Sequence, residues 1–304
     1  MRWEKLRRSR NVEDRRGQRM PGGKPMAMGG SGCVVALFVI FMLVTKSGFL
    51  GGGDGGQIQL PDLSQINVPQ QGGGSGEIDD EMGDYVEAVL GSTEDVWTAI
   101  FRDYGMRYQP ARVVHYSGTT RMPGGVAQSA TGPFYLPADQ TVYLDSQFFS
   151  QLRQMARDRT EDYDFAPAYV IAHEVAHHVQ NLLGYTDKVH SQINRIPDAQ
   201  YNQLSVRLEL QADYLAGVWA HHANKQMMAS DGVTLLEDGD VEEAMRAAKA
   251  IGDDELQRSS GGRIRPDSFT HGTSEQRLRW FTSGLKTGNV DQAARAFQLN
   301  YSDL

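Results

Sequence analysis

The sequence His173-Glu174-Val175-Ala176-His177 constrains the fold most strongly, because its two histidines can act together only on a helix. Residues four apart in a helix lie one turn from each other on the same face, about 6 Å apart along the axis. At that separation both imidazoles reach one tetrahedral zinc ion at about 2.0–2.1 Å. Glu174 follows the first histidine, where its carboxylate can accept a proton from water at the metal. The pattern therefore predicts a zinc-binding helix, which we place over Asp164–Leu183.

A five-residue pattern also arises by chance, so a second motif has to support it. Glu209-Leu210-Gln211-Ala212-Asp213 lies 32 residues after His177, within a helix predicted over Asp198–Gln226. Together the two motifs resemble the Glu-zincins, in which HExxH on one helix is completed by a glutamate on the next. That resemblance implies that Glu209 is the third zinc ligand and that Asp213 accepts the second ring N–H of His173.

A third candidate region precedes a helix predicted over Ser274–Leu285. His271 lies in the loop before this helix, where it could donate a hydrogen bond to the developing oxyanion of a tetrahedral intermediate. A loop or capping role is the alternative for His271. Arg277, one turn inside the helix, either orients a carboxylate at the site or forms a structural salt bridge.

Charge and cysteine content exclude several classes of protein. The formal net charge of −8 argues against a nucleic-acid binder, and the single cysteine, Cys33, excludes a disulfide scaffold or a cysteine-based metal cage. The charge is divided unevenly, however. Residues 1–24 carry nine Lys or Arg and three acidic residues, a net charge of +6, which leaves −14 for the rest of the chain.

This basic leader precedes a segment that we predict to be a single transmembrane anchor, residues 25–50. Its apolar centre is Cys33–Val44, and 21 uncharged residues separate Lys24 from Lys46, about the length that crosses a bilayer. A cleaved signal peptide and a buried core segment are the alternatives. The positive-inside rule then predicts a cytoplasmic leader and an extracytoplasmic C-terminal part.

The remaining chain divides into a linker and a domain. Gly51–Gly76 contains nine glycines and two prolines, which is typical of a flexible linker. From residue 77 to 304 the composition is globular. Helices predominate, and strands are predicted at Arg112–Tyr116 and Thr141–Asp145, the second as an edge where an extended peptide could pair. We therefore predict an α+β, zincin-like domain, predominantly helical with a small sheet.

Six blocks of the chain, taken in order, resemble the bacterial putative neutral zinc metallopeptidase family: MRW and NVEDRR in the leader, then GPFYLPADQTVYLD, HEVAHHVQ, ELQADYLAG and SFTHGTSEQRLRWF. The resemblance implies a membrane-anchored zinc peptidase of the Glu-zincin type. It implies His173, His177 and Glu209 as zinc ligands and Glu174 as the catalytic residue.

The hypothesis from sequence is zinc-dependent hydrolysis of peptide bonds by a membrane-tethered extracytoplasmic metalloendopeptidase. It requires one Zn²⁺ per chain, a peptide or protein substrate, and no nucleic acid. The first alternative is a non-catalytic, membrane-anchored zinc-binding scaffold; a closed structural site would need a fourth protein ligand, and we identify three. The second is a latent protease whose cleft is covered by the linker segment Gln57–Val68.

Overall fold

Helices make up most of the structure, a computed structural model that describes residues 1–17, 80–160, 163–259 and 264–304. The α-helices are α1 (Asp80–Asp103), α2 (Gln147–Met155), α3 (Phe165–Leu182), α4 (Tyr185–His190), α5 (Asp198–Asp231), α6 (Asp240–Ala250), α7 (Asp253–Ser259), α8 (Ser274–Thr287) and α9 (Arg295–Gln298). Short 3₁₀ helices cover Trp3–Lys5, Ser129–Thr131, Pro266–Ser268, Val290–Ala294 and Tyr301–Asp303.

Six short strands complete the described fold and confirm the predicted α+β class. They are β1 (Val12–Asp14), β2 (Arg112–Tyr116), β3 (Thr119–Met122), β4 (Gly125–Gln128), β5 (Phe134–Leu136) and β6 (Thr141–Asp145). The main sheet has the order β1-β2-β6-β5, in which β5 alone is antiparallel to its neighbour. Strands β3 and β4 form a separate hairpin. The prediction that Thr141–Asp145 is an edge is wrong, because β2 and β5 pair with β6 on either side.

The HExxH helix α3 lies in the centre of the core, which explains its unusual composition. Fifteen of its eighteen residues are buried, so apolar side chains surround the few polar ones. It packs against α1, α5 and α6. Helix α5 in turn packs closely on α8 at Gly284, where an added methyl group would lie 2.0 Å from the carbonyl oxygen of Tyr214. The small residue at this crossing lets the two backbones approach each other.

Helix α1 is continuous, although the sequence predicts two helices, Asp79–Leu90 and Ser92–Tyr104, divided at Gly91. The glycine serves a different purpose. A methyl group at Gly91 would lie 2.0 Å from the carbonyl oxygen of Arg7, so the missing side chain admits the N-terminal segment.

That N-terminal segment, residues 1–17, is part of the domain rather than a separate leader. Its strand β1 pairs in parallel with β2, with Val12 opposite Val113. Towards its start, the backbone N–H of Arg2 donates to the carbonyl of Leu235 at 2.9 Å. The domain boundary predicted at residue 77 therefore omits a strand of the main sheet.

Two arginines of this segment pair with carboxylates of α1. The Arg7 guanidinium lies 2.7 Å from Glu94 and 2.9 Å from Asp95, and Arg8 contacts Asp84 at 2.5 Å. From sequence, the positive charge of the leader is attributed to membrane orientation. In the structure, these two arginines form ion pairs within one domain.

The predicted anchor, residues 25–50, and the predicted linker Gly51–Gly76 lie outside the described residues. Within the described part of the chain, no helix combines the length and apolar character needed to span a bilayer. The basic leader is described over residues 1–17, and there the prediction that it lies across a membrane from the domain conflicts with the structure. Strands β1 and β2 can pair only in one compartment.

We predict that a chain beginning at residue 77 unfolds about 5–10 °C below the full chain, because it loses strand β1 and its ion pairs, worth about 2–3 kcal/mol together. Calorimetry or thermal circular dichroism measures this difference. The matched control replaces residues 18–79 with a short Gly/Ser linker, which is feasible because Arg16 lies against Gly83 of α1. The control should keep the full-chain midpoint; equal midpoints for the truncated and full chains would contradict the prediction.

Candidate metal centre

Helices α3 and α5 bring three predicted ligands together. His173 Nε2 lies 3.2 Å from both His177 Nε2 and Glu209 Oε2, and His177 Nε2 lies 3.4 Å from Glu209 Oε1. One ligand atom from each residue falls within 4.8 Å of the other two. Both histidines therefore turn the same ring nitrogen towards one carboxylate.

The spacing of these ligand atoms fits a tetrahedral zinc site, with each histidine facing a different oxygen of Glu209. Ligand atoms at about 2.0–2.1 Å from a tetrahedral ion lie about 3.3 Å from each other. The three observed separations match this value within about 0.1 Å. Two imidazoles and one carboxylate form the ligand set of an open catalytic zinc site, in which a fourth position is left for water or substrate.

The second ring nitrogen of His173 is held by a buried ion pair. Its Nδ1 donates to Asp213 Oδ1 at 2.8 Å, and the same oxygen accepts the Tyr169 hydroxyl at 2.5 Å. Arg277 donates to both oxygens of Asp213, from Nε at 2.9 Å and from Nη2 at 3.0 Å. Asp213 has no exposed surface. Arg277 therefore orients a carboxylate and forms a salt bridge, so both roles proposed from sequence apply.

These charges shift the pKa values of the site. Burial alone would lower the pKa of His173, but the Asp213 and Glu209 carboxylates raise it to about 10. Burial would raise the pKa of Asp213, yet the Arg277 and His173 charges hold it at about 2. Glu209, also buried, has its pKa lowered by the two histidines. The metal-free site thus favours ionised carboxylates facing protonated imidazole.

The other candidate ligand histidine, His177, is held by an uncharged side chain. Its Nδ1 lies 2.8 Å from Oε1 of Gln180, which is fully buried. No role is predicted for Gln180 from sequence, because nothing in a single sequence distinguishes it from an ordinary polar residue on a helix.

Glu174 and His271 each affect the pKa of a candidate ligand. Glu174 is 9% exposed and near enough to His177 for its charge to raise the pKa of that imidazole. His271 precedes α8, and its charge contributes to lowering the pKa of Glu209. The loop also touches α5, since a methyl group added at Gly272 would lie 3.4 Å from Leu210 Cδ2. The structure therefore places both predicted catalytic residues close to the candidate ligands.

Asp253 of α7, for which no role is predicted from sequence, fixes the orientation of His271. Its Oδ1 accepts from His271 Nδ1 at 2.9 Å, and its Oδ2 accepts the backbone N–H groups of Thr270, His271 and Gly272 at 2.7, 2.6 and 3.1 Å. One carboxylate thus shapes the loop and orients its imidazole. The contact joins residues 18 positions apart, which local sequence patterns do not reveal.

His178, beside His177, connects α3 to the edge strand β5. Its Nε2 donates to the carbonyl of Gln109 at 2.6 Å, so its Nδ1 accepts the Tyr135 hydroxyl at 3.0 Å. Asn181 donates to the same hydroxyl at 3.1 Å. His178 therefore fixes the edge strand β5 against α3 and takes no part in the candidate ligand group.

Comparison with known proteins identifies one family. The family model described as "Putative neutral zinc metallopeptidase" matches residues 1–296. "Uncharacterized protein YpfJ" of Escherichia coli K12 is 44% identical over 299 residues, which cover 96% of this chain and 97% of that protein. "Uncharacterized protein Rv2575" of Mycobacterium tuberculosis H37Rv is 39% identical over 207 residues, 67% of each chain. No solved structure matches the chain significantly.

We predict that the apparent zinc affinity of the metal-free protein rises with pH, by about tenfold per unit between pH 6.5 and the His173 pKa of about 10. Zinc must displace a proton from His173 over this range. The free energy of unfolding of the metal-free protein depends on pH in the opposite direction. The raised pKa of His173 stabilises the metal-free fold fully below pH 6.5, and that contribution is lost as pH rises through about 10.

Chelator competition between pH 6.5 and 9, with the chelator alone as control, measures the affinity. Calorimetry in two buffers of different ionisation enthalpy measures the proton release. An affinity that does not change with pH would contradict the prediction.

Proposed function

Because the chain belongs to the putative neutral zinc metallopeptidase family, we propose that it hydrolyses peptide bonds with one zinc ion held by His173, His177 and Glu209. The observation that carries the proposal is the close approach of the two histidine Nε2 atoms to each other and to the two carboxylate oxygens of Glu209, at 3.2–3.4 Å, between α3 and α5. Three protein ligands leave a coordination position open. That open position favours hydrolysis over the alternative of a closed structural zinc site.

Glu174 acts as the general base and then as the general acid. Bound zinc would polarise the scissile carbonyl and lower the pKa of a coordinated water towards 7. The Glu174 carboxylate accepts a proton from the attacking water and passes it to the leaving amine. Its position directly after His173 on α3 keeps it beside the ligands throughout the reaction.

His271 stabilises the negative charge that develops on the carbonyl oxygen. Asp253 accepts the Nδ1 proton of His271 and pairs with the imidazolium form of the ring, which donates to the oxyanion from its other nitrogen, Nε2. The three backbone contacts to Asp253 hold the loop in a fixed geometry before substrate arrives. A preoriented donor of this kind lowers the barrier without reorganisation during the reaction.

The substrate binds as an extended chain along β5. This strand lies at the edge of the main sheet and contacts α3, and the Tyr135–His178 hydrogen bond holds it there. An edge strand offers unpaired backbone groups to which an extended peptide can add. The substrate class that follows is an unfolded or flexible polypeptide segment.

Replacing Glu174 with Gln should abolish cleavage of casein or a peptide library, by at least about 10³-fold in kcat, while zinc content stays at one ion per chain. The variant removes the base and keeps the ligands. Cleavage assays with and without chelator, together with metal analysis, test this. Glu275→Gln makes the same change at an exposed carboxylate and should leave activity unchanged. Normal turnover by Glu174→Gln would overturn the proposed mechanism.

Replacing His271 with Gln should lower kcat by about 10²–10³-fold, the cost of losing one oxyanion donor, with KM and zinc content little changed. The matched control is His222→Gln, because His222 bonds the Gly288 carbonyl and takes no part in the proposed reaction. An equal loss in both variants would show that the effect is structural and would remove His271 from the mechanism.

A further inference from the structure

Four groups behind His177 form a continuous buried chain of hydrogen bonds. His177 Nδ1 contacts Gln180 Oε1 at 2.8 Å, and Gln180 Nε2 contacts Gln211 Oε1 at 3.0 Å. Gln211 Nε2 then donates to the carbonyl of Ala293 at 3.0 Å. A branch runs from Gln180 Nε2 to the carbonyl of Leu208 at 2.7 Å. Both glutamine side chains are fully buried, so water does not compete for these bonds.

The direction of every bond in this chain follows from its two backbone carbonyls. A carbonyl oxygen can only accept, so Gln211 turns its NH₂ group to Ala293 and its oxygen to Gln180. Gln180 must then donate to Gln211, as it does to Leu208, which leaves its own oxygen facing His177. The only arrangement that satisfies all the groups places a proton on His177 Nδ1.

We propose that Gln180 and Gln211 are positioning residues that hold His177 as the Nδ1–H tautomer, so that its Nε2 lone pair faces the metal. The inference rests on the proposed zinc site. The orientation of His177 is set by the uncharged hydrogen-bond chain through Gln180 and Gln211, here called the relay, which ends on the carbonyls of Leu208 and Ala293. Ala293 belongs to the 3₁₀ helix Val290–Ala294 near the C-terminus. The relay therefore makes zinc affinity depend on a segment that contributes no ligand.

The relay differs in kind from the support of His173. Asp213 is a carboxylate, which raises the basicity of His173 and also its affinity for a proton. Gln180 orients His177 without adding charge. Loss of the Gln180 amide should therefore weaken zinc binding by changing the orientation of His177, which would be released to rotate or to take the other tautomer.

The test compares the zinc affinity of full-length variants by chelator competition. Gln180→Met keeps the size of the side chain and removes its hydrogen bonds to His177, Leu208 and Gln211. It should weaken zinc binding about 10–100-fold. Gln211→Met should cause a smaller loss, because Leu208 still holds the Gln180 amide. The double variant should bind zinc within about twofold of Gln180→Met, since Gln211 acts only through Gln180.

A structural control and a direct signal make the test specific. Tyr214→Phe removes bonds from α5 to Thr287 and to the carbonyl of Asn289, just before the same 3₁₀ helix, and leaves the relay intact. It should keep wild-type zinc affinity. In NMR spectra of the zinc-loaded protein, the His177 Nδ1 proton should exchange slowly in wild type and in Tyr214→Phe, and quickly in Gln180→Met.

Wild-type affinity in Gln180→Met would overturn the relay, as would an equal loss of affinity in Tyr214→Phe. Additive losses in the double variant would also overturn it, since the two glutamines would then act separately. A wild-type chain that binds no zinc at all would overturn the proposed function itself, a result distinct from these.

Discussion

The buried carboxylate of Asp213 is the group on which the candidate centre depends. It accepts hydrogen bonds from α3, through His173 and Tyr169, and from α8, through Arg277, while it sits on α5. A buried charge is tolerated only when it is fully paired, and loss of one partner costs about 3–5 kcal/mol. The same interaction that orients a metal ligand therefore also fixes three helices to one another. Stability and geometry of the site cannot be separated here.

The two histidines of the motif are supported by opposite means, and the difference affects the charge of the centre. Asp213 is neutralised by Arg277, and Gln180 is uncharged. With the Asp213 and Arg277 charges cancelling each other, the Glu209 carboxylate carries the one remaining charge among the three candidate ligands and the side chains that support the histidines. A zinc ion placed there would retain a net positive charge, which is what polarisation of a carbonyl requires. A second unpaired carboxylate behind His177 would have reduced it.

The parts of this fold that local spacing determines were accessible from sequence, and those that long-range contacts determine were not. The helical spacing of His173 and His177 and the strand-forming residues of Arg112–Tyr116 each depend on a few neighbouring residues, and both elements occur where predicted. By contrast, β1 is three residues long, contains two acidic residues, and exists only because β2 accepts it. Asp253 and Gln180 gain their roles from partners on other elements, so their identity in the sequence carried no signal.

Arg2 is bonded to a residue that is made much later in synthesis. The Arg2 guanidinium donates at 2.7 Å to the carbonyl of Thr234, 232 residues away. At a synthesis rate of about 5–20 residues per second, Arg2 leaves the ribosome about 10–50 s before its partner does. Such non-local pairing also slows folding, because the long loop must close before the contact forms. The domain can therefore complete its packing only late in translation. Until then Arg2 must remain soluble without its final partner.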